Sequence, residues 1–195
     1  MTTFNFARTA LVASVALAAA GGANADVFMK VSGAPGDATV RGFEQQIALG
    51  GASLSVSSSP VYNHPEAPSP TRTIFVGPVV ISKTLDRSSP KLMLSAIHGE
   101  KLGTVEITFT SRSRTDGPQV IDDRWVLEGA EVQSIQVSPG LDKHDPPIET
   151  VEISYKSMRY QHYVADAKGA RTGAMEEVKW DAPALDPFAD DVGCR

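Results

Sequence analysis

Alternation of apolar and polar residues along much of the chain limits the folds that this sequence can adopt. Residues 105–110 read Val-Glu-Ile-Thr-Phe-Thr, and residues 151–155 read Val-Glu-Ile-Ser-Tyr. A period of two places the apolar side chains on one face of an extended strand. Turn signals such as Asp116-Gly117 separate segments of this kind. The sequence therefore predicts a mainly β protein with antiparallel strands and tight connections.

Two positions in the strand pattern predict irregular geometry. Gly77-Pro78 interrupts a dense apolar segment and predicts a bulge or a kink. The apolar positions change parity between Tyr155 and Met158, which requires a bulge or a change of sheet. We therefore expect a compact barrel of two packed antiparallel sheets.

One segment carries the signals of a helix, over about residues 89–98. Ser89 suits the N-cap, Pro90 suits the first turn, and Gly99 suits the left-handed residue that ends a helix. Apolar residues recur at helical spacing between these signals: Leu92, Met93, Ala96 and Ile97. So short a helix is marginal in isolation, so we expect it to flank a sheet.

The first 25 residues predict a secretory signal peptide. Arg8 precedes a short apolar run, and Ala23-Asn24-Ala25 is an A-x-A cleavage site directly before Asp26. The alternative is a membrane anchor, but the 17 residues between Arg8 and Asp26 are mostly Ala or Gly, whereas a span needs about 20 apolar residues. We predict cleavage before Asp26, export to the periplasm or the medium, and no stable membrane span.

The remainder predicts one domain over residues 26–181 and a flexible tail over residues 182–195. Residues 57–72 are rich in serine and proline, with four prolines between positions 60 and 70. Because proline lacks the N–H that a strand ladder needs, we expect this segment to be an exposed loop inside the domain.

Charge and cysteine content exclude several classes of protein. Lys and Arg total 18 against 23 Asp and Glu, a net charge of −5, which argues against a nucleic-acid surface. The single cysteine, Cys194, excludes an intrachain disulfide and a cysteine-based zinc site. In an exported chain this thiol stays free or pairs with another chain, and the sequence does not decide between them.

No catalytic, metal or cofactor motif stands out. The histidines lie apart in the sequence, and neither a GxSxG nor a GxGxxG motif is present. Asp122-Asp123 and Glu176-Glu177 are adjacent carboxylates, but neighbours in a strand point to opposite faces, which favours solvated charge. We therefore predict no enzyme activity, no catalytic residues, no metal site and no cofactor. A secreted hydrolase is the weakest hypothesis, because the roughly fourteen residues that follow Asp181 are too few for an added catalytic domain.

Residues 81–102 resemble the signature of the Hcp family, the haemolysin-coregulated tube proteins of type VI secretion. In that family a strand ending in Lys-x-x-Asp leads through Ser-Pro-x-Leu into a helix that ends at a glycine. The matching positions are Lys83, Asp86, Ser89, Pro90, Leu92 and Gly99. Other segments are similar to the family in the same order, and the resemblance covers about residues 26–181.

The resemblance implies a structural function. Family members form hexameric rings with a wide pore, and the rings stack into a tube, so the implied partners are further copies of the chain, other type VI components and secreted effectors. A long loop helps rings meet in the family. The positions that match this stacking loop are Pro60, Tyr62, Pro65, Pro68 and Pro70.

The leader departs from the family pattern, because tube subunits of that family assemble in the cytoplasm without a cleaved signal. A second hypothesis therefore stays open. The chain would be an exported Hcp-like binding module with a periplasmic or extracellular partner, acting outside a type VI apparatus.

Overall fold

Nine strands and one helix make up the part of the chain that the computed structural model describes, which comprises residues 26–61, 71–112, 119–140, 144–166 and 171–181. The predicted leader and the predicted tail lie outside these residues. The strands are β1 (Asp26–Val31), β2 (Ile47–Leu49), β3 (Gly51–Val61), β4 (Thr71–Thr84), β5 (Lys101–Arg112), β6 (Gln119–Ser138), β7 (Ile148–Ser154), β8 (Ser157–Ala165) and β9 (Arg171–Asp181). The helix α1 is Ser89–His98.

The helix forms where the sequence predicts it. Pro90 lies in the first turn, and Gly99 ends the helix with a φ of 66°, donating its backbone N–H to the carbonyl of Ser95. The N-cap is Ser88 rather than Ser89. Ser89 is the first helical residue, and its hydroxyl donates to the buried carboxylate of Glu149 instead of capping the helix. Leu92 is fully buried and fixes α1 to the sheet.

Strand β6 joins two parts of one antiparallel sheet. β5 pairs along one edge of β6, whereas on the other edge residues 123–128 pair with β8 and residues 131–138 pair with β7. Gly129 lies between these two parts and has a φ of 63°, a left-handed conformation that glycine adopts without strain. The change of parity predicted between Tyr155 and Met158 falls at the break between β7 and β8, but both strands pair with β6 in the same sheet, so the chain does not change sheet there.

The mainly β, antiparallel architecture with one short helix is confirmed, but the closed barrel is not. The order of hydrogen-bonded strands is β2-β1-β5-β6-β7-β4-β3, with β8 on β6 and β9 on β8, and within the described residues this order does not close. Only Gly50 separates β2 from β3 in the sequence, and its N–H donates to the carbonyl of Ser82 at 2.7 Å. The bulge predicted at Gly77-Pro78 is present. The register between β3 and β4 shifts there, so these two residues of β4 lie opposite a single residue of β3, between Leu54 and Val56.

The core is built from inward-facing side chains of the strands together with Leu92 of α1. Alternation in β7 illustrates how the sequence fills it: Val151 and Ile153 are fully buried, and Glu149 points inward with them. Each large aliphatic side chain that is removed from water contributes about 1.5–3 kcal/mol. The largest fully buried aliphatic residues are Met29, Ile47, Ile81, Leu92, Ile107, Leu127, Ile153 and Met158.

Candidate functional site

Three of the predicted signature residues meet in one buried cluster where β4 leads into α1. Lys83, at the end of β4, places its ammonium Nζ 2.9 Å from Oδ1 of Asp86. The same Nζ donates to Oγ of Ser89 at 2.9 Å and to the backbone carbonyl of Thr84 at 2.9 Å. Lys83 is only 2% exposed. The sequence spacing Lys-x-x-Asp-x-x-Ser thus brings a cation, an anion and a hydroxyl together.

Glu149 completes the cluster from β7, and the motif did not predict it. Its Oε2 lies 2.6 Å from Nζ of Lys83 and accepts a hydrogen bond from the Ser89 hydroxyl at 2.7 Å. The alternation of β7 contains a signal for this residue, because Glu149 occupies an inward position in register with Val151 and Ile153. A charged residue at an inward position requires a buried partner. The sequence alone does not name the partner, which lies 66 positions away.

Hydrogen bonds keep the Asp86 carboxylate ionised beside the start of the helix. Burial acts to raise the pKa of Asp86, but hydrogen bonds from Ser88 and from the Lys83 ammonium outweigh it and lower the pKa below the ordinary value. The Ser88 N–H donates to Oδ1 at 2.9 Å, which satisfies a backbone donor at the helix start. The cluster is therefore an electrostatic anchor that holds α1 against β4 and β7.

The remaining signature residues complete this anchor. Pro90 fixes the first helical turn, Leu92 packs into the core, and Gly99 ends the helix. None of the signature side chains presents a reactive group to solvent, because the ammonium of Lys83 contacts the carboxylates of Asp86 and Glu149. The structure thus brings the signature residues together at one place, where they position α1.

Strands occupy both ends of the segment that the sequence predicts as the stacking loop. β3 runs to Val61 and β4 starts at Thr71, so Pro60 lies in a strand, opposite Arg72. The expectation of a loop over residues 57–72 is wrong at both ends. β3 has a single neighbour, and an edge strand tolerates a proline whose missing N–H faces away from the ladder. Tyr62, Pro65, Pro68 and Pro70 lie outside the described residues.

The outer parts of β3 and β4 form a two-stranded ribbon, residues 56–61 with residues 71–76. β4 pairs with β7 only from Val79 onward, so within the described residues the ribbon strands pair only with each other. Large apolar side chains on the ribbon face solvent: Val56 is 59% exposed, Ile74 57% and Phe75 65%. An isolated two-stranded ribbon is marginally stable in water, and a row of exposed apolar side chains marks an interaction surface. The ribbon is the candidate assembly surface of this chain.

The adjacent carboxylates Asp122 and Asp123 have different partners, and they are not simply solvated. Asp122 forms an ion pair with Arg171. Asp123 accepts a hydrogen bond from the Tyr160 hydroxyl at 2.8 Å, and its Oδ1 lies 2.8 Å from Nδ1 of His162. The expectation of solvated charge is therefore wrong for both residues, because cross-strand neighbours on β8 and β9 supply partners.

Asp26, the residue that follows the predicted cleavage site, is the first residue of β1. Its backbone carbonyl accepts a hydrogen bond from the Thr110 hydroxyl at 2.9 Å. Ala23 and Ala25 lie outside the described residues, as does Cys194. Asp26 is thus held in the sheet by its pairing with β5 and by this hydrogen bond.

In the part of the chain that the structure describes, no group of three or more His, Cys, Asp or Glu side chains is placed to hold a metal ion. None of the helical structure described is long and apolar enough to span a membrane.

Comparison with known proteins identifies the family. A family model described as "Type VI secretion system effector, Hcp" matches residues 28–162. The "Major exported protein" of Pseudomonas aeruginosa is 29% identical over 141 residues, which cover 69% of this chain and 79% of that protein.

Solved structures share the fold. A type six secretion system protein superposes with a TM-score of 0.70 at 19% identity, covering 80% of this chain and 94% of the other. Hcp1 from Salmonella typhimurium gives a TM-score of 0.61 at 16% identity, covering 80% and 94%. Since the family match spans well over half of the sequence, the resemblance carried by residues 81–102 is confirmed, and the chain belongs to the Hcp family of the type VI secretion system.

Proposed function

We propose that this chain is a structural subunit of a type VI secretion tube. Six copies close head to tail into a ring, and rings stack through an open, filament-forming contact. The ribbon is the observation that carries this proposal, because it holds Val56, Ile74 and Phe75 in solvent on strand segments that, among the described residues, pair only with each other. Burial of these side chains against a neighbouring copy removes apolar area from water.

The function is assembly rather than catalysis. The signature residues are used to anchor α1 and offer no reactive group, and the Hcp family is structural. The partners are further copies of the chain together with other type VI components or secreted effectors. The related Pseudomonas aeruginosa protein is a major exported protein, which supports secretion of this chain as well.

The leader and the domain boundaries follow from the same proposal. Residues 1–25 act as a signal peptide that is cleaved between Ala25 and Asp26, residues 26–181 form the Hcp-like domain, and residues 182–195 form a tail. The Ala23-Asn24-Ala25 site directly before Asp26 supports this cleavage position, and cleavage there leaves β1 intact. Mass spectrometry of the exported protein tests it: we expect an N-terminus at Asp26, and an N-terminus at Met1 would contradict the proposal.

We also propose that the two ends of the strand order meet at Gly50 and complete a barrel. β2 pairs with β1 and β3 pairs with β4, so the single residue between β2 and β3 connects the two ends of the strand order. The hydrogen bond from Gly50 to Ser82 supports closure at this corner. A closed barrel removes the exposed sheet edges that an open sheet would leave, which suits a subunit of a ring.

Electron microscopy of the purified protein tests the assembly. We expect particles with six-fold symmetry and a central pore, together with short stacks of rings at high protein concentration. A protein that stays monomeric at every concentration would contradict the proposal. It would favour the exported binding module instead, since a single domain with an exposed apolar ribbon can bind a partner protein without forming a ring.

A further inference from the structure

An open cleft of about 300 Å³ lies over the face of the sheet that β5, β6, β8 and β9 form. Each of these four strands contributes one aromatic ring to the lining: Phe109 from β5, Trp125 from β6, Tyr160 from β8 and Trp180 from β9. Met158 lies at its base and is buried. The volume is at the small end of the range for ligand sites, which suits a small molecule.

Strand register explains why the rings converge. Trp125 lies directly opposite Tyr160, and Met158 lies directly opposite Trp180. Cross-strand partners point to the same face of a sheet, so these side chains share one surface. All four rings are half-buried, so each still presents part of its surface to the cleft. Phe109 and Trp125 pack against each other with centroids 4.7 Å apart and planes tilted by 59°.

Asp123 supplies the one charge among the residues that line the cleft. Its Oδ1 is held by the Tyr160 hydroxyl and lies beside His162, whereas no hydrogen bond from the described residues reaches Oδ2. The hydrogen bond to Asp123, together with burial, raises the pKa of Tyr160 above its ordinary value. The tyrosine therefore stays protonated, and the carboxylate is fixed in place facing the aromatic rings.

The charges around the cleft favour a cation. No lysine or arginine belongs to the described lining. The nearby arginines are engaged with other groups: Arg124 lies over the ring of Tyr163, and Arg171 pairs with Asp122. Glu176 lies opposite His162, on the same face as Asp123. Aromatic faces attract ammonium groups, and a neighbouring carboxylate adds a direct charge interaction.

We propose that this cleft binds a small organic ammonium ion, a cationic nitrogen carried on an apolar body. The apolar part packs against Met158 and the two tryptophans, and the charge lies between the aromatic faces and Asp123. This binding function is separate from ring assembly, and a chain that forms no rings can still display it.

The two tryptophans make the cleft measurable without a label. The chain contains only two tryptophans, Trp125 and Trp180, and both line the cleft, so intrinsic fluorescence reports on its occupation. Choline serves as the cationic probe, and 3,3-dimethylbutan-1-ol serves as its uncharged equivalent of the same shape. We expect a saturable fluorescence change with choline at a dissociation constant at least tenfold lower than that of the alcohol. Equal affinity for the two probes would overturn the proposal.

Two matched variants assign the charge. Asp123→Asn keeps the shape of the side chain and an acceptor for Tyr160, so we expect choline affinity to fall at least tenfold. Glu177→Gln makes the same chemical change on the opposite face of β9, where Glu177 pairs with Gln161, and should leave the affinity unchanged. Wild-type affinity in Asp123→Asn would overturn the proposal. The comparison of the two probes on the wild-type protein does not depend on whether this variant folds.

A further titration distinguishes the source of the ammonium group. A capped tripeptide with a central lysine is compared with choline on the wild-type protein. Tighter binding of choline indicates a free small amine, and tighter binding of the tripeptide indicates a lysine side chain. Either result supports the cation site, and the absence of a saturable change with both probes would overturn it.

Discussion

At the scale of single residues, Lys83 is a buried charge with four polar partners. Its ammonium is almost fully buried and contacts carboxylates from two places in the chain, Asp86 and Glu149. Desolvation of these charges is costly, and their mutual pairing together with hydrogen bonds from and to Ser88, Ser89 and the Thr84 carbonyl compensates for it. The anchor of α1 therefore depends on all of its charged members being present at once.

Substitution of Lys83 tests the anchor. Lys83→Met keeps most of the side-chain volume but leaves two carboxylates buried without their cation, so we expect a loss of about 3–5 kcal/mol in the free energy of unfolding. Denaturant unfolding measures it. Lys91→Met is the matched control, because Lys91 pairs with Glu100 at an exposed position, where little change is expected. Equal stability of the Lys83 variant and the wild type would contradict the anchor.

Asp86 makes the stability of the anchor depend on pH. Because the folded state lowers the pKa of Asp86, the carboxylate stabilises the fold above its unfolded pKa of about 3.9, and this contribution is lost as the pH falls through the folded pKa. We expect the stability advantage of the wild type over Asp86→Asn to shrink as the pH falls from neutral to below 4. Urea unfolding at several pH values measures it, and a constant difference would contradict the assignment.

At the scale of elements, the ribbon extends beyond the sheet and carries the exposed apolar side chains. The parts of β3 and β4 nearer the core are held by β7 and the core, whereas the ribbon gains little from its own pairing. If another copy of the chain covers the ribbon, that contact explains both how the ribbon is stabilised and why its apolar side chains are exposed in the single subunit.

Phe75→Ser tests the role of the ribbon. Phe75 is 65% exposed, so its removal should barely change the unfolding of the isolated subunit, but it removes apolar area from the stacking contact. We expect fewer and shorter stacks in electron micrographs, with the thermal unfolding temperature little changed. Ser57→Thr is the control, since Ser57 lies opposite Phe75 and stays polar. Unchanged stacking in Phe75→Ser would exclude the ribbon as the contact.

Local patterns predicted the elements well, and the contacts between distant segments poorly. Alternation identified β5 and β7, and the sequence from Ser89 to Gly99 identified α1, because these signals lie within a few residues. Pro60 was assigned to a loop, because the sequence does not show that β3 is an edge strand. The pairing of Glu149 with Lys83 and the converging rings of the cleft depend on the register of strands far apart in the chain, which periodicity does not specify.

At the scale of the whole molecule, the fold, the family and the exposed surfaces support one account. Among the described residues the chain has an antiparallel sheet and one helix, its fold matches that of a type six secretion system protein, and the ribbon extends from the sheet. In the proposed ring each copy contributes one ribbon to a repeating arrangement. Weak contacts between single subunits therefore add up around the ring.

The mass of the native assembly tests the central claim most directly. Native mass spectrometry of the purified protein counts the subunits in each particle without reference to its shape. We predict a dominant species of six copies, with multiples of six as the concentration rises. A dominant monomer at every concentration would contradict the account.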